Sequence, residues 1–151
     1  MRPVFSTVCD ARQNRRVARI HHIEIWVDDL HEALTEWEWL LTRLGSTRQS
    51  EWANGQSWSL GEAYLTLTTS PALSDPVHDR RRAGVNHLAF AVDEAAEVDA
   101  IMADAEAHGW RPLYHDRYPH AGGPDHYAGW VENSAGFKAE IVAAVSPAAP
   151  S

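Results

Sequence analysis

The sequence predicts an α+β fold in which one βαβββ unit is written twice, and three observations carry that prediction. The phrase Ile20-His21-His22-Ile23-Glu24-Ile25-Trp26-Val27-Asp28-Asp29 has a counterpart in Val85-Asn86-His87-Leu88-Ala89-Phe90-Ala91-Val92-Asp93, with His22 and His87 65 positions apart. Each phrase alternates apolar residues with others, as a half-buried strand does. Each then meets an acidic helix cap followed by apolar residues at helical spacing.

In the first copy Ile23, Ile25 and Val27 share one face, and His22, Glu24 and Trp26 share the other. A strand so divided packs its apolar side on a helix and turns its ionisable side toward a cavity. Asp29 is placed to cap the helix, and Glu32 completes a D-x-x-E box. Leu30, Ala33, Leu34, Trp37, Leu41 and Leu44 form the helix's apolar stripe, and Gly45 ends it. Trp37 and Trp39 read as core-filling residues, whereas Glu36 and Glu38 fall off the stripe and read as solvated. Three extended segments follow at 47–52, 56–60 and 63–69, punctuated by Asn54-Gly55 and Gly61. From Ser70 to Gly84 the chain has prolines, the charge run Asp79-Arg80-Arg81-Arg82 and no periodicity, which reads as a linker.

The second copy repeats the plan. Leu88, Phe90 and Val92 face a helix, while His87, Ala89 and Ala91 face away. Asp93 is expected to cap a helix carrying Val98, Ile101, Met102 and Ala105 on one stripe and stopped by Gly109. Strands are expected at 110–116, 126–132 and 137–143, with Asn133-Ser134-Ala135-Gly136 as a turn. The domain organisation is therefore a tail at 1–18 and a single domain at 19–144, then a second tail at 145–151. Within the domain, module one is 19–70, the linker 71–84 and module two 85–144.

Composition sets the bounds. A chain of 151 residues, 44% apolar and 23% charged, suits one compact domain with a real core. A net charge of −8 argues against a nucleic-acid partner, which needs a basic footprint. Cys9 is the sole cysteine, so no internal disulfide and no cysteine-rich metal site can form, and a reducing cytoplasm is expected. No run approaches a membrane span, so no membrane partner is expected. Seven tryptophans leave some for packing and some to line an aromatic pocket.

If the two units pair, His22 and His87 face a shared concavity. On the last strand, Glu140 alternates against Ala139 and Ile141, whose apolar side chains suit the helix face. Two imidazoles and a carboxylate converging there form a facial triad with open positions. Glu24, on the face of His22, is a candidate base. One of His126 and Tyr127 faces the cavity and is a candidate acid or oxyanion donor. Trp26, Tyr64, Thr66 and Trp130 are candidate substrate-binding residues. His21 points away from His22 and reads as structural.

The phrases HHIEIWVDD and NHLAFAVDE, with the closing NSAGFKAEIV, resemble the vicinal oxygen chelate superfamily, the group of glyoxalases, bleomycin-resistance proteins, fosfomycin-resistance enzymes and extradiol dioxygenases. The resemblance covers about residues 20–143. It implies paired βαβββ modules forming a cupped mixed sheet around a metal site, with helices on the outer face. By position it assigns His22, His87 and Glu140 as metal ligands. Four-ligand members carry another ligand near the place of Thr66, a poor donor for a divalent metal, so the three-ligand His/His/Glu pattern is expected here. Fe(II), Mn(II), Zn(II), Ni(II) and Co(II) all suit such a set. The expected function is a divalent-metal-dependent isomerase or lyase acting on a small molecule with neighbouring oxygens. The alternatives are an Fe(II) extradiol-type dioxygenase and a non-catalytic antibiotic-binding protein. The resemblance also implies a homodimer.

Overall fold

The computed structural model describes residues 17–144, so Cys9, nearly all of the first tail and the whole of the second lie outside the described residues. The βαβββ order appears twice, as the sequence implies. Module one runs β1 (His22–Trp26), α1 (Leu30–Arg43), β2 (Arg48–Trp52), β3 (Gly55–Leu60) and β4 (Ala63–Thr68). Module two runs β5 (Leu88–Val92), α2 (Ala95–Asp104), a 3-10 turn (Ala105–His108), β6 (Arg111–Leu113), β7 (Ala128–Glu132) and β8 (Lys138–Ala143). Each module holds one mixed four-stranded sheet, in the orders β1-β4-β3-β2 and β5-β8-β7-β6. In both, the first strand lies parallel to the last and the remaining pairs are antiparallel.

Local chemistry accounts for the elements. Asp29 has extended backbone and accepts the Glu32 N–H at 3.0 Å, satisfying one free donor of the first turn of α1. Ala33, Trp37, Leu40 and Leu41 are the buried stripe of that helix. In module two the cap falls one residue later than expected. Glu94 is the N-cap, and the Glu97 carboxylate takes its backbone N–H at 2.9 Å. Asp29 and Glu94 are themselves 65 positions apart, so the duplicated spacing holds through the cap. Gly129 on β7 is where α2 comes down: a Cβ there would lie 2.3 Å from Met102 Sδ, so a larger residue would have to displace the Met102 side chain.

Two expected strands are shortened. The segment 110–116 pairs only over Arg111–Leu113, because Tyr114 turns the chain at φ 59. The segment 126–132 begins its ladder at Ala128.

The modules share one core. Trp37 of α1 is 1% exposed and meets Trp110 edge-on at 5.0 Å and Phe137 at 6.2 Å. The Trp110 indole N–H donates to the Glu36 carbonyl at 2.9 Å. Glu36 is thus not the solvated residue the stripe suggested: it is half-buried, and its carboxylate accepts the Ser134 N–H at 3.2 Å across the module boundary. Trp39 is half-buried and stacks on His108 at 4.6 Å. No helix among the described residues is long and apolar enough to cross a membrane.

Candidate functional site

The second sheet supplies the densest chemistry. In β5 and β8 the register sets Ala89 opposite Glu140, and His87 stands just before β5 on the same face as Ala89. Glu140 is 6% exposed, and its ion-pair partners among the described residues are both histidines. His87 Nε2 lies 3.1 Å from Glu140 Oε2, and His126 Nε2 contacts the other oxygen, Oε1. On its far side, His87 Nδ1 is 2.9 Å from Asn86 Oδ1, and the Asn86 amide N–H donates to the Arg80 carbonyl at 3.0 Å.

His126 arrives on the loop between β6 and β7. This loop crosses the open face of the second sheet, where Tyr114 and Ala121 pack on Leu113, Ala128 and Trp130. Gly122 makes the crossing possible: a Cβ there would lie 2.4 Å from His126 Cδ2 and 3.2 Å from Trp130 Cη2. The structure also resolves which of the adjacent pair turns inward. His126 meets Glu140, whereas the Tyr127 hydroxyl donates to Asp99 of α2 at 2.8 Å, beside a second donor, Tyr118. The bond to Asp99, helped by burial, raises the Tyr127 phenol above its ordinary value. Tyr127 therefore does not join the Glu140 cluster, because alternation on the approach to β7 sends it to the helix side.

Module one presents a different surface. His22, Glu24, Tyr64 and Thr66 line a concavity of about 560 Å³ with Ser50 and Ser57. The His22 ring stacks on Tyr64 at 4.9 Å, and its Nδ1 lies 2.9 Å from His21 Nδ1. His21 is thus not turned away from His22, because its ring folds back to the neighbouring nitrogen. Glu24 accepts the Trp26 indole N–H at 2.9 Å. Trp26 is 43% exposed, but Trp130 is buried under Tyr114 and beside His126. Glu24, Trp26 and His87 also line a groove of about 270 Å³ between the modules.

Comparison with known proteins places the fold. Residues 21–139 match the family model of the Glyoxalase/Bleomycin resistance protein/Dioxygenase superfamily. The chain belongs to that superfamily. Among its relatives, this superfamily member is 40% identical to the uncharacterized protein YqjT of Bacillus subtilis over 126 residues, 82% of this chain and 98% of that one. A candidate glyoxalase of Bacillus halodurans, solved by crystallography, is 40% identical with a TM-score of 0.77, covering 83% of this chain and 95% of that one. The fosfomycin resistance protein FosX of Listeria monocytogenes, solved with Mn(II) and a dihydroxypropylphosphonic acid, shares the fold alone. Its identity is 15% and its TM-score 0.61, with 86% and 93% of the two chains covered.

For this superfamily member, the donor chemistry at Glu140 suits a divalent cation. A nearly buried carboxylate is costly unless a positive charge sits on it, and imidazole nitrogen with carboxylate oxygen is a set that divalent transition metals accept. The expected triad is not gathered within one chain, however. Among the described residues no three His, Cys, Asp or Glu side chains are spaced to hold one ion. His87 and His126 approach different oxygens of Glu140, and His22 stands with His21 and Tyr64 on module one. Sequence reasoning passed over Asn86 and Arg80. The signal was available, since the residue before each duplicated histidine, His21 or Asn86, is a hydrogen-bonding one.

Proposed function

We propose that this protein is a divalent-metal-dependent enzyme of the glyoxalase-like isomerase or lyase class, acting on a small substrate with neighbouring oxygens. The observation that carries the reading is the buried Glu140 carboxylate with His87 Nε2 at 3.1 Å. His87 and Glu140 would hold the ion together with His22, and a homodimer in which module one of one copy faces module two of another would deliver that third ligand. When bound, such an ion supplies Lewis acidity to paired oxygens. The chain's own groups do the rest. Glu24, oriented by the Trp26 N–H and lining the same module-one concavity as His22, would arrive with that third ligand as the base that takes a proton from substrate. His126, hydrogen-bonded to Glu140 and half-exposed, is placed to return it. Tyr64 and Thr66 line the module-one concavity and would orient the substrate's oxygens, with Trp26 in the neighbouring groove for its apolar parts.

A non-catalytic binder of cationic drugs is the second reading. It is favoured by a groove of about 440 Å³ lined by Asp28, Asp29, Glu32, Glu36 and Asp75 beside Trp26. Metal analysis of protein purified without added metal decides between them. Stoichiometric metal in wild type that is lost in His87→Ala supports the enzyme. Equal metal content in the two proteins overturns the assignment. Tight drug binding that survives metal removal establishes the binder. Turnover found only with ferrous ion and oxygen would move the enzyme to the dioxygenase class.

A further inference from the structure

We propose that Asn86 is a positioning residue that holds the His87 imidazole as its Nδ1–H tautomer and so turns its Nε2 lone pair toward Glu140. The inference rests on the reading above only for what Nε2 binds; the tautomer follows from the hydrogen bonds themselves. A backbone carbonyl can only accept, so the group that Asn86 presents to Arg80 O at 3.0 Å is its NH₂. Its Oδ1 then faces His87 Nδ1 at 2.9 Å, and an amide oxygen can only accept, so that ring nitrogen carries the proton. In a neutral imidazole the other nitrogen, Nε2, is then a lone pair, and it faces a carboxylate oxygen at 3.1 Å. Either a proton on Nε2 or a cation held between the two groups satisfies that contact.

The anchor of this device is in the linker. Arg80 Nε donates to Glu132 Oε2 at 2.7 Å, and Arg111 holds the other oxygen of Glu132 at 2.6 Å, so the carbonyl that orients Asn86 is tied to β7. A segment without periodicity thus sets the ring of His87 from the sheet beside it. Module one repeats the arrangement with a different residue: His21, at the place equivalent to Asn86, meets the Nδ1 of His22 at 2.9 Å. In both modules the residue before the histidine meets its Nδ1.

Two-bond proton–nitrogen NMR of the histidines decides this on metal-free protein, at a pH where the imidazoles are neutral, with the His87 signal identified by its loss in His87→Gln. Wild type and Asn86→Asp, which keeps the accepting oxygen, are expected to show His87 as Nδ1–H. Asn86→Ala is expected to lose that tautomer, and its Zn(II) affinity by titration calorimetry to fall roughly 10–100-fold, the usual cost of losing an outer partner of a metal histidine. The same His87 tautomer in all three proteins would overturn the proposal. Should wild type take up no Zn(II), the metal reading fails on its own, and the tautomer comparison still decides the role of Asn86.

Discussion

Thr66 and Glu140 hold equivalent places on the last strands of the two modules. Thr66 pairs across the sheet with Glu24, and Glu140 pairs with Ala89. Each module therefore carries one carboxylate at this crossing, on its first strand in one case and its last in the other. The two acids differ in setting, for Glu140 is 6% exposed against two imidazoles, while Glu24 is exposed with an indole N–H. Their isosteric variants should separate accordingly. Glu140→Gln is expected to lose bound metal. Glu24→Gln is expected to keep it and lose about 10²–10⁴-fold in turnover, the usual weight of a general base. Parallel metal analysis and kinetics make the comparison, and loss of metal in both variants would remove Glu24 from its role.

If the third ligand is contributed by a second copy, His22→Ala and His87→Ala fail in different halves of the same site. Each variant alone is expected to be inactive. Mixed dimers made by co-expression should regain about half the activity per dimer, since one of the two composite sites is intact. Inactive mixed dimers would show that both histidines act from one chain.

Gly122→Ala places a methyl carbon 2.4 Å from His126 Cδ2. The imidazole has to leave Glu140 or the loop has to lift. Turnover is expected to fall about tenfold or more with a stability change near 1 kcal/mol, because the loop is only partly buried. Wild-type kinetics in this variant would show that the contact between His126 and Glu140 has no part in the reaction.

Glu132 sets a limit on acid stability. Burial alone would raise its carboxyl, but the bonds from Arg80 and Arg111 outweigh burial and hold it below the ordinary glutamate value. A group whose folded value is depressed contributes stability that is present above the unfolded value and lost as the pH falls through the folded one. Denaturant midpoints should accordingly drop on the acid side of the ordinary glutamate range. Glu132→Gln should be destabilised at neutral pH and show a shallower acid slope. Identical slopes in the two proteins would assign the acid limb elsewhere.

The duplicated fold was legible because period-two alternation and paired caps are local signals that survive in both modules. The shared face of His87 and Glu140 was legible for the same reason, since strand parity puts a side chain on a face whatever its neighbours do. The choice between His126 and Tyr127 was not, because the register there depends on a loop laid down by Gly122 against rings far away in sequence. Nor was the role of Glu36, which looks solvated on its own helix and becomes a bridge only when Ser134 arrives. The second cap shows the opposite error: Asp93 was favoured by residue type, while the offset of the repeat already pointed to Glu94.

Trp37, wedged between Trp110 and Phe137, has a consequence for how the protein works in dilute solution. Swinging one half of the molecule about the other would mean prising open an aromatic joint whose two indoles are shut off from water. On the proposed reading, a solitary molecule cannot complete its own ligand set by flexing. Specific activity should then decline once concentration drops below the self-association constant, and recover when the sample is concentrated again.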